Sequence, residues 1–340
     1  MNYKSLALAA LACSALALPA AARDQIRIVG SSTVFPFSSV VAEQFGRQGQ
    51  FKTPVVESTG TGGGMKLFCT GVGTQHPDIT NASRPITKSE IESCAKAGVT
   101  DITEVKIGFD GIVIADKIGS GKLNLTRKQL WLALAKEVDV GGQIIANPYK
   151  TWSQLDPSLP ATKIEVYGPP PTSGTRDAFV ELVMAEGCKE FAGVKALTDA
   201  KQKSAVCHTV REDGAYIEAG ENDNLIVQKL NSSPDALGIF GYSFLDQNRD
   251  KVQANMIEGV DPTFENIAAS KYPVARSIFF YVKNAHAGVI PGIKEFVAEF
   301  VSEKAIGTEG YAVDKGLIPL PKEELAKVRA AATSGSKLAM

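Results

Sequence analysis

Short apolar runs in this sequence keep ending the same way, in a cluster of serine, threonine and glycine from which a helix-spaced pattern starts. Gln25–Gly30 runs into Ser31-Ser32-Thr33, and Val34, Phe37, Val40, Val41 and Phe45 then recur at helical spacing over 34–47, with Pro36 in the first turn. Pro54–Ser58 runs into Ser58-Thr59-Gly60-Thr61-Gly62-Gly63-Gly64 and a helix near 63–72. Asp78–Ala82 is followed by Ser83-Arg84-Pro85, and Lys163–Tyr167 leads through three prolines to Thr172-Ser173-Gly174-Thr175 and a helix over about 176–186. Repeated strand–helix alternation argues for mainly parallel sheets covered by helices, because each parallel strand needs a crossover. With 340 residues, two such lobes are expected rather than one.

The remainder fits that scheme. Thr87 with Glu90, and Thr126 with Gln129, have the spacing of helix capping boxes. Residues 102–115 are strand-rich around an Asp110-Gly111 pair, 139–162 is a polar stretch, and 225–230, 236–244 and 273–282 supply a helix and two strands. Residues 288–303 have amphipathic helical spacing, and the end from about Ser334 is expected to fray. No short-period repeat is visible.

Residues 1–22 read as a secretory leader: Lys4, a Leu/Ala run from Leu6 to Leu18, then Ala20 and Ala22 before Arg23. A lipoprotein leader acylated at Cys13 is the weaker alternative, since the apolar run continues past that cysteine. Cleavage leaves Cys69, Cys94, Cys188 and Cys207, an even number suited to two disulfides in an oxidising compartment. Three connectivities are open; proximity in sequence favours 69–94 and 188–207, against the alternative of buried free thiols. Lys and Arg total 36 against 37 for Asp and Glu, so there is no basic excess to bind nucleic acid or an anionic membrane. Three histidines and the cysteine spacing give no metal cluster, and no cofactor motif stands out.

An anion must therefore be captured by a few placed donors. A helix start offers about four free N–H groups and roughly half a positive charge, and hydroxyls there either cap the helix or donate to an oxyanion. Three hydroxyl residues in a row at 31–33 exceed what capping needs. The glycines of 60–64 let backbone N–H groups point inward, but no Gly-Lys-Ser/Thr follows, so the loop is not a P-loop; a plain flexible loop is the alternative. Arg176 in a first helical turn opposes the helix dipole unless an anion is near, and Arg84 follows a strand directly; each, taken alone, also fits a solvated arginine.

Asp110 is a lone carboxylate among apolar strand residues, and Asp-Gly also fits a hairpin turn. A carboxylate beside an oxyanion repels it unless the anion brings a proton to donate. Phosphate does so at neutral pH and sulfate does not, so one aspartate could tell them apart by about 1–3 kcal/mol.

Ile26–Pro36, Thr59–Lys66, Ala82-Ser83-Arg84-Pro85, Phe109-Asp110-Gly111 and Ser173-Gly174-Thr175-Arg176, in this order, resemble the periplasmic phosphate-binding proteins of high-affinity phosphate ABC transporters over residues 26 to about 320. The resemblance implies a two-lobed α/β type II periplasmic-binding fold, each lobe a mainly parallel sheet flanked by helices, with the ligand in the cleft. It implies one lobe of 23–108 and 275–333, a second of 109–274, and a tail of 334–340. Carried over, Ser32, Thr33, Val34, Thr61, Gly62, Ser83, Ser173, Gly174 and Thr175 bind phosphate through hydroxyls and N–H groups, while Arg84 and Arg176 supply charge and Asp110 accepts the ligand proton. The familiar pattern has Asp where this chain has Arg84, and Arg where it has Pro169; Asp110 and Arg176 are assigned those roles. The implied protein is a monomeric, non-enzymatic periplasmic receptor, soluble once its leader is removed, that hands phosphate to an inner-membrane permease. The alternatives are a receptor for sulfate, molybdate or tungstate, and a secreted phosphatase, for which His76, His208 and His286 lie outside the motifs.

Overall fold

The computed structural model describes residues 23–338 apart from 172, 221 and 222; the leader read in residues 1–22, with Cys13, lies outside the described residues. In the first half, strands β1 (Arg27–Gly30), β2 (Val55–Ser58) and β3 (Ile79–Ala82) alternate with helices α1 (Phe35–Arg47), α2 (Thr61–Phe68) and α3 (Lys88–Lys96). Strand β4 (Ile102–Lys117) leaves this half. The second half holds α4 (Arg127–Leu134), β5 (Val166–Gly168), α5 (Gly174–Phe179), β6 (Tyr216–Glu218), β7 (Leu237–Gly241) and β8 (Val252–Ala254), and β9 (Ala275–Lys283) returns.

These nine strands form one sheet in the order β2-β1-β3-β9-β4-β7-β5-β6, with β8 also on β4. Pairing is parallel within each half, β2-β1-β3 and β7-β5-β6. The crossing strands β4 and β9 run antiparallel to each other and to their neighbours, which is what joining two parallel sheets requires. β4 is continuous for 16 residues, so Asp110-Gly111 is the middle of a strand and the hairpin alternative is set aside. Its pairing with β9 slips between Ile278 and Phe279. A third connection lies alongside: Phe109 N–H donates to Ile318 O (2.8 Å) and Ile318 N–H to Phe109 O (3.0 Å). Gly108 permits this approach, since a Cβ there would stand 2.5 Å from the Ile318 carbonyl.

Both capping boxes form, Thr87 with Glu90 and Thr126 with Gln129. Helix α5 widens into a π-helical turn over Val180–Met184 and resumes over Ala185–Cys188, instead of running as one regular helix. The polar stretch after 139 contains part of a hairpin, Glu137–Val140 with Gln143–Ala146, turned by Gly141 and Gly142 at φ 63° and 88°. The last helix runs through Ser334 and closes on Gly335, and Leu338 N–H donates to Ile102 O at 2.7 Å. The chain end is therefore tied down through Leu338, where fraying from Ser334 was expected. Of the three open connectivities, the bonded pairs are Cys69–Cys94 and Cys188–Cys207, the second stapling the segment after α5.

Candidate functional site

Parallel pairing of β1, β2 and β3 brings the turns after them to one edge of the sheet, and the turn before α5 faces them from the other half. Ligands of open α/β sheets bind at such carboxyl-end crevices. There a cleft of about 570 Å³ is lined by Ser32, Thr33, Asp110, Ser173, Gly174 and Thr175, among others. The two halves meet closely: a Cβ on Gly174 would stand 2.9 Å from Ser32 O and 3.2 Å from Thr33 Cα, so a larger residue would wedge this corner apart.

A guanidinium that the sequence motifs do not mark stands against two of these lining residues. β9 places Arg276 directly opposite Asp110 on β4. Its Nη2 donates to Thr33 Oγ1 at 2.8 Å, Nη1 donates to Glu181, and Nε lies 3.6 Å from Asp110 Oδ2. Both Nε and Oδ2 are buried without a hydrogen-bond partner. Burial holds the Asp110 carboxyl above the usual carboxylate range, and the nearby Arg276 charge only partly opposes it. Arginine at the start of a mostly apolar strand, Ala275-Arg276-Ser277-Ile278-Phe279-Phe280, is the available signal.

Hydroxyl polarity follows from these bonds. Thr33 Oγ1 accepts from Arg276, so its single hydrogen is free to point into the cleft. Ser173 Oγ caps its helix by accepting from Thr175 N–H at 3.2 Å, which likewise leaves its O–H to donate. Helix α1 has no side-chain cap, so the 31–33 hydroxyls are not there as an N-cap; Val34 N–H turns to Ser31 Oγ at a long 3.4 Å.

Other expected ligands are placed differently. Ser32 Oγ donates its proton to Asp177 Oδ2 at 2.5 Å, so it cannot donate to an anion while that bond holds. Thr61 and Ser83 lie at the same sheet edge but bond one another, Oγ to Oγ at 3.0 Å and Ser83 N–H to Thr61 Oγ1 at 3.1 Å; with the exposed Gly62 they stand outside the cleft lining. Arg84 is held in a two-pronged pair by Glu90, both contacts 2.9 Å, and this contact raises its pKa. Arg176 stacks on the Tyr216 ring at 4.4 Å and donates to Pro169 O at 3.1 Å, a local compensation for its place in a first helical turn. The strap Asp314-Lys315-Gly316, also unforeseen, closes one side of the cleft. The described residues contain no group of His, Cys, Asp and Glu able to hold a metal ion.

Two parallel α/β halves, joined by crossing strands around a cleft at their carboxyl edges, define the type II periplasmic-binding class. The chain belongs to the PBP superfamily, whose domain model matches residues 17–304. It is 30% identical over 336 residues to Protein SphX of Synechococcus elongatus, covering 96% of this chain and 86% of that protein. It is 28% identical to the phosphate-binding protein PstS of Staphylococcus saprophyticus, over 87% of this chain and 80% of the relative. Among solved structures, a possible phosphate binding protein from Planctomyces limnophilus superposes with a TM-score of 0.74 at 28% identity, covering 92% of this chain and 99% of that one. An ABC-type phosphate transport receptor from Vibrio cholerae shares the fold with a TM-score of 0.58 at 24% identity, over 87% and 100% of the two chains.

Proposed function

We propose that this protein is an exported receptor that binds inorganic phosphate between its lobes and delivers it to an inner-membrane permease, working as a periplasmic monomer without catalysis. The observation that carries the reading is the convergence of Thr33, Ser173, Gly174, Thr175 and Asp110 on one cleft, with the Arg276 guanidinium against Thr33 and Asp110. The names of the PstS and phosphate-receptor relatives support it, and no helix of the described residues is long and apolar enough to cross a membrane.

In this reading Thr33 and Ser173 donate through hydroxyls, and Gly174 and Thr175 sit at the helix start opposite. Arg276 balances the ligand charge, and Asp110 accepts the proton that phosphate carries and sulfate lacks. Thr61, Gly62 and Ser83 form an adjoining donor cluster that the ligand reaches by exchange of the Thr61–Ser83 bond. The lobes are assigned as 23–108 with 275–333, and 109–274, so that hinge bending falls on β4, β9 and the Ile318 strap. Calorimetric titration with phosphate, sulfate, molybdate and tungstate tests the reading. Phosphate alone should bind tightly; sulfate binding as well as phosphate would refute it.

A further inference from the structure

Two carboxylates of the second lobe reach across the cleft. Asp177 lies in the first turn of α5, and Glu181 follows four residues later, where the helix widens. Asp177 Oδ2 accepts from the Ser32 hydroxyl at 2.5 Å. Glu181 accepts from Nη1 of Arg276, whose Nη2 in turn holds Thr33. Among the described residues, these are the only side-chain hydrogen bonds of the two carboxylates, so both grip the 31–34 turn of the opposite lobe, one directly and one through Arg276. Wide helical turns of this kind are frequent at functional sites.

Electrostatics sharpens the point. Negative groups at the rim of a cleft that takes an anion oppose its entry, so this placement calls for a compensating role. Asp177 meets its donor on the facing lobe directly, whereas Glu181 meets Arg276 on the crossing strand, whose other arm holds Thr33. For the lobes to part, the Ser32–Asp177 bond must break and the Glu181–Arg276–Thr33 relay must give at one of its two bonds. We propose that Asp177 and Glu181 form a catch that holds the lobes together, whether or not an anion lies between them, and so slows release of the bound ion. The Glu181 side chain is 58% exposed, so its half of the catch weakens with salt, whereas the Ser32–Asp177 bond does not depend on a long-range charge pair. By favouring the closed arrangement beforehand, the catch reduces the share of binding energy spent on closing. The ligand in this proposal rests on the phosphate reading; the closure does not.

The test compares the mature chain with the variant Asp177→Ala/Glu181→Gln by small-angle X-ray scattering without phosphate and by stopped-flow release of phosphate. The variant should scatter as a more open particle and release phosphate about tenfold faster, with association no slower than in the parent. Ser32→Ala and Asp177→Ala should each speed release, and combined they should do no more than either alone, because they break the same bond. Additive effects would instead make Ser32 a ligand in its own right and overturn its place in the catch. If no form binds phosphate, the receptor reading falls and scattering alone judges the catch. A variant that scatters like the parent overturns the catch.

Discussion

Arg276 offers the sharpest test of the site. It is half-buried at the crossing strands, 2.8 Å from Thr33 Oγ1 and 3.6 Å from Asp110 Oδ2. Arg276→Met removes the charge that balances the anion and leaves Thr33 without the donor that orients its hydrogen. A unit charge about 4 Å from the ligand is worth ~4 kcal/mol at the effective dielectric suited to such sites. The charge-assisted hydrogen bonds it makes contribute about 1.5–3 kcal/mol each. Part of this is offset, because Asp110, relieved of its counter-charge, takes up a proton more readily and repels the anion less. A net loss of roughly 3–4 kcal/mol corresponds to a 100- to 1,000-fold weaker Kd. Arg276→Lys keeps the charge without the planar fork and should recover about half of the logarithmic loss. Arg84→Gln and Arg176→Gln should stay within about threefold, since those guanidiniums sit on Glu90 and Tyr216. Calorimetry at neutral pH, with circular dichroism to check folding, reads all four. A folded Arg276→Met that binds phosphate within threefold of the parent, or a larger loss from Arg84→Gln, would refute the reasoning.

Asp110→Asn should weaken phosphate about tenfold and admit sulfate, because an amide can donate to an anion that brings no proton; competition calorimetry distinguishes this from an unchanged preference. Lys315→Gln, on the strap lining the cleft, should slow phosphate association in low salt and have little effect at high salt, as stopped-flow mixing can measure. Replacing both Cys188 and Cys207 by alanine opens a 19-residue loop and should cost about 3 kcal/mol in urea denaturation. Burial pushes the Lys283 ammonium down to about 8, below its ordinary 10.5, so the unfolded chain holds this proton more tightly than the folded one. Its destabilising effect is therefore full below pH 8 and fades as pH rises towards 10.5, so the parent should gain stability relative to Lys283→Met over that range, as urea denaturation at several pH values can measure.

Local chemistry was the readable part of this sequence. Capping boxes at Thr87 and Thr126, the strand-end hydroxyls and the two cysteine pairs each involve residues that are near in sequence or repeat one pattern. Arg276 escaped because its meaning depends on register across β4 and β9, strands 166 positions apart at the Asp110 pairing, and within its own strand it reads as a polar start to an apolar run. Glu181 and Lys315 escaped for the same reason: a charged residue on a helix or loop reads as solvated until the opposite lobe is seen. The arginines that could be read locally, Arg84 and Arg176, found partners nearby that pattern reading does not weigh, Glu90 six residues on and the Tyr216 ring.

The strand order also dictates when the molecule can be completed. β9 lies between β3 and β4, so one flank of β3 has nothing to zip against until residues 275–283 have been made. Most of the polypeptide must exist before the earliest three strands can seal their sheet, and pairing over such sequence distances is slow. A nascent thread whose first sheet cannot be sealed before residue 283 is one that a translocation pore can still pass, which the proposed export would need.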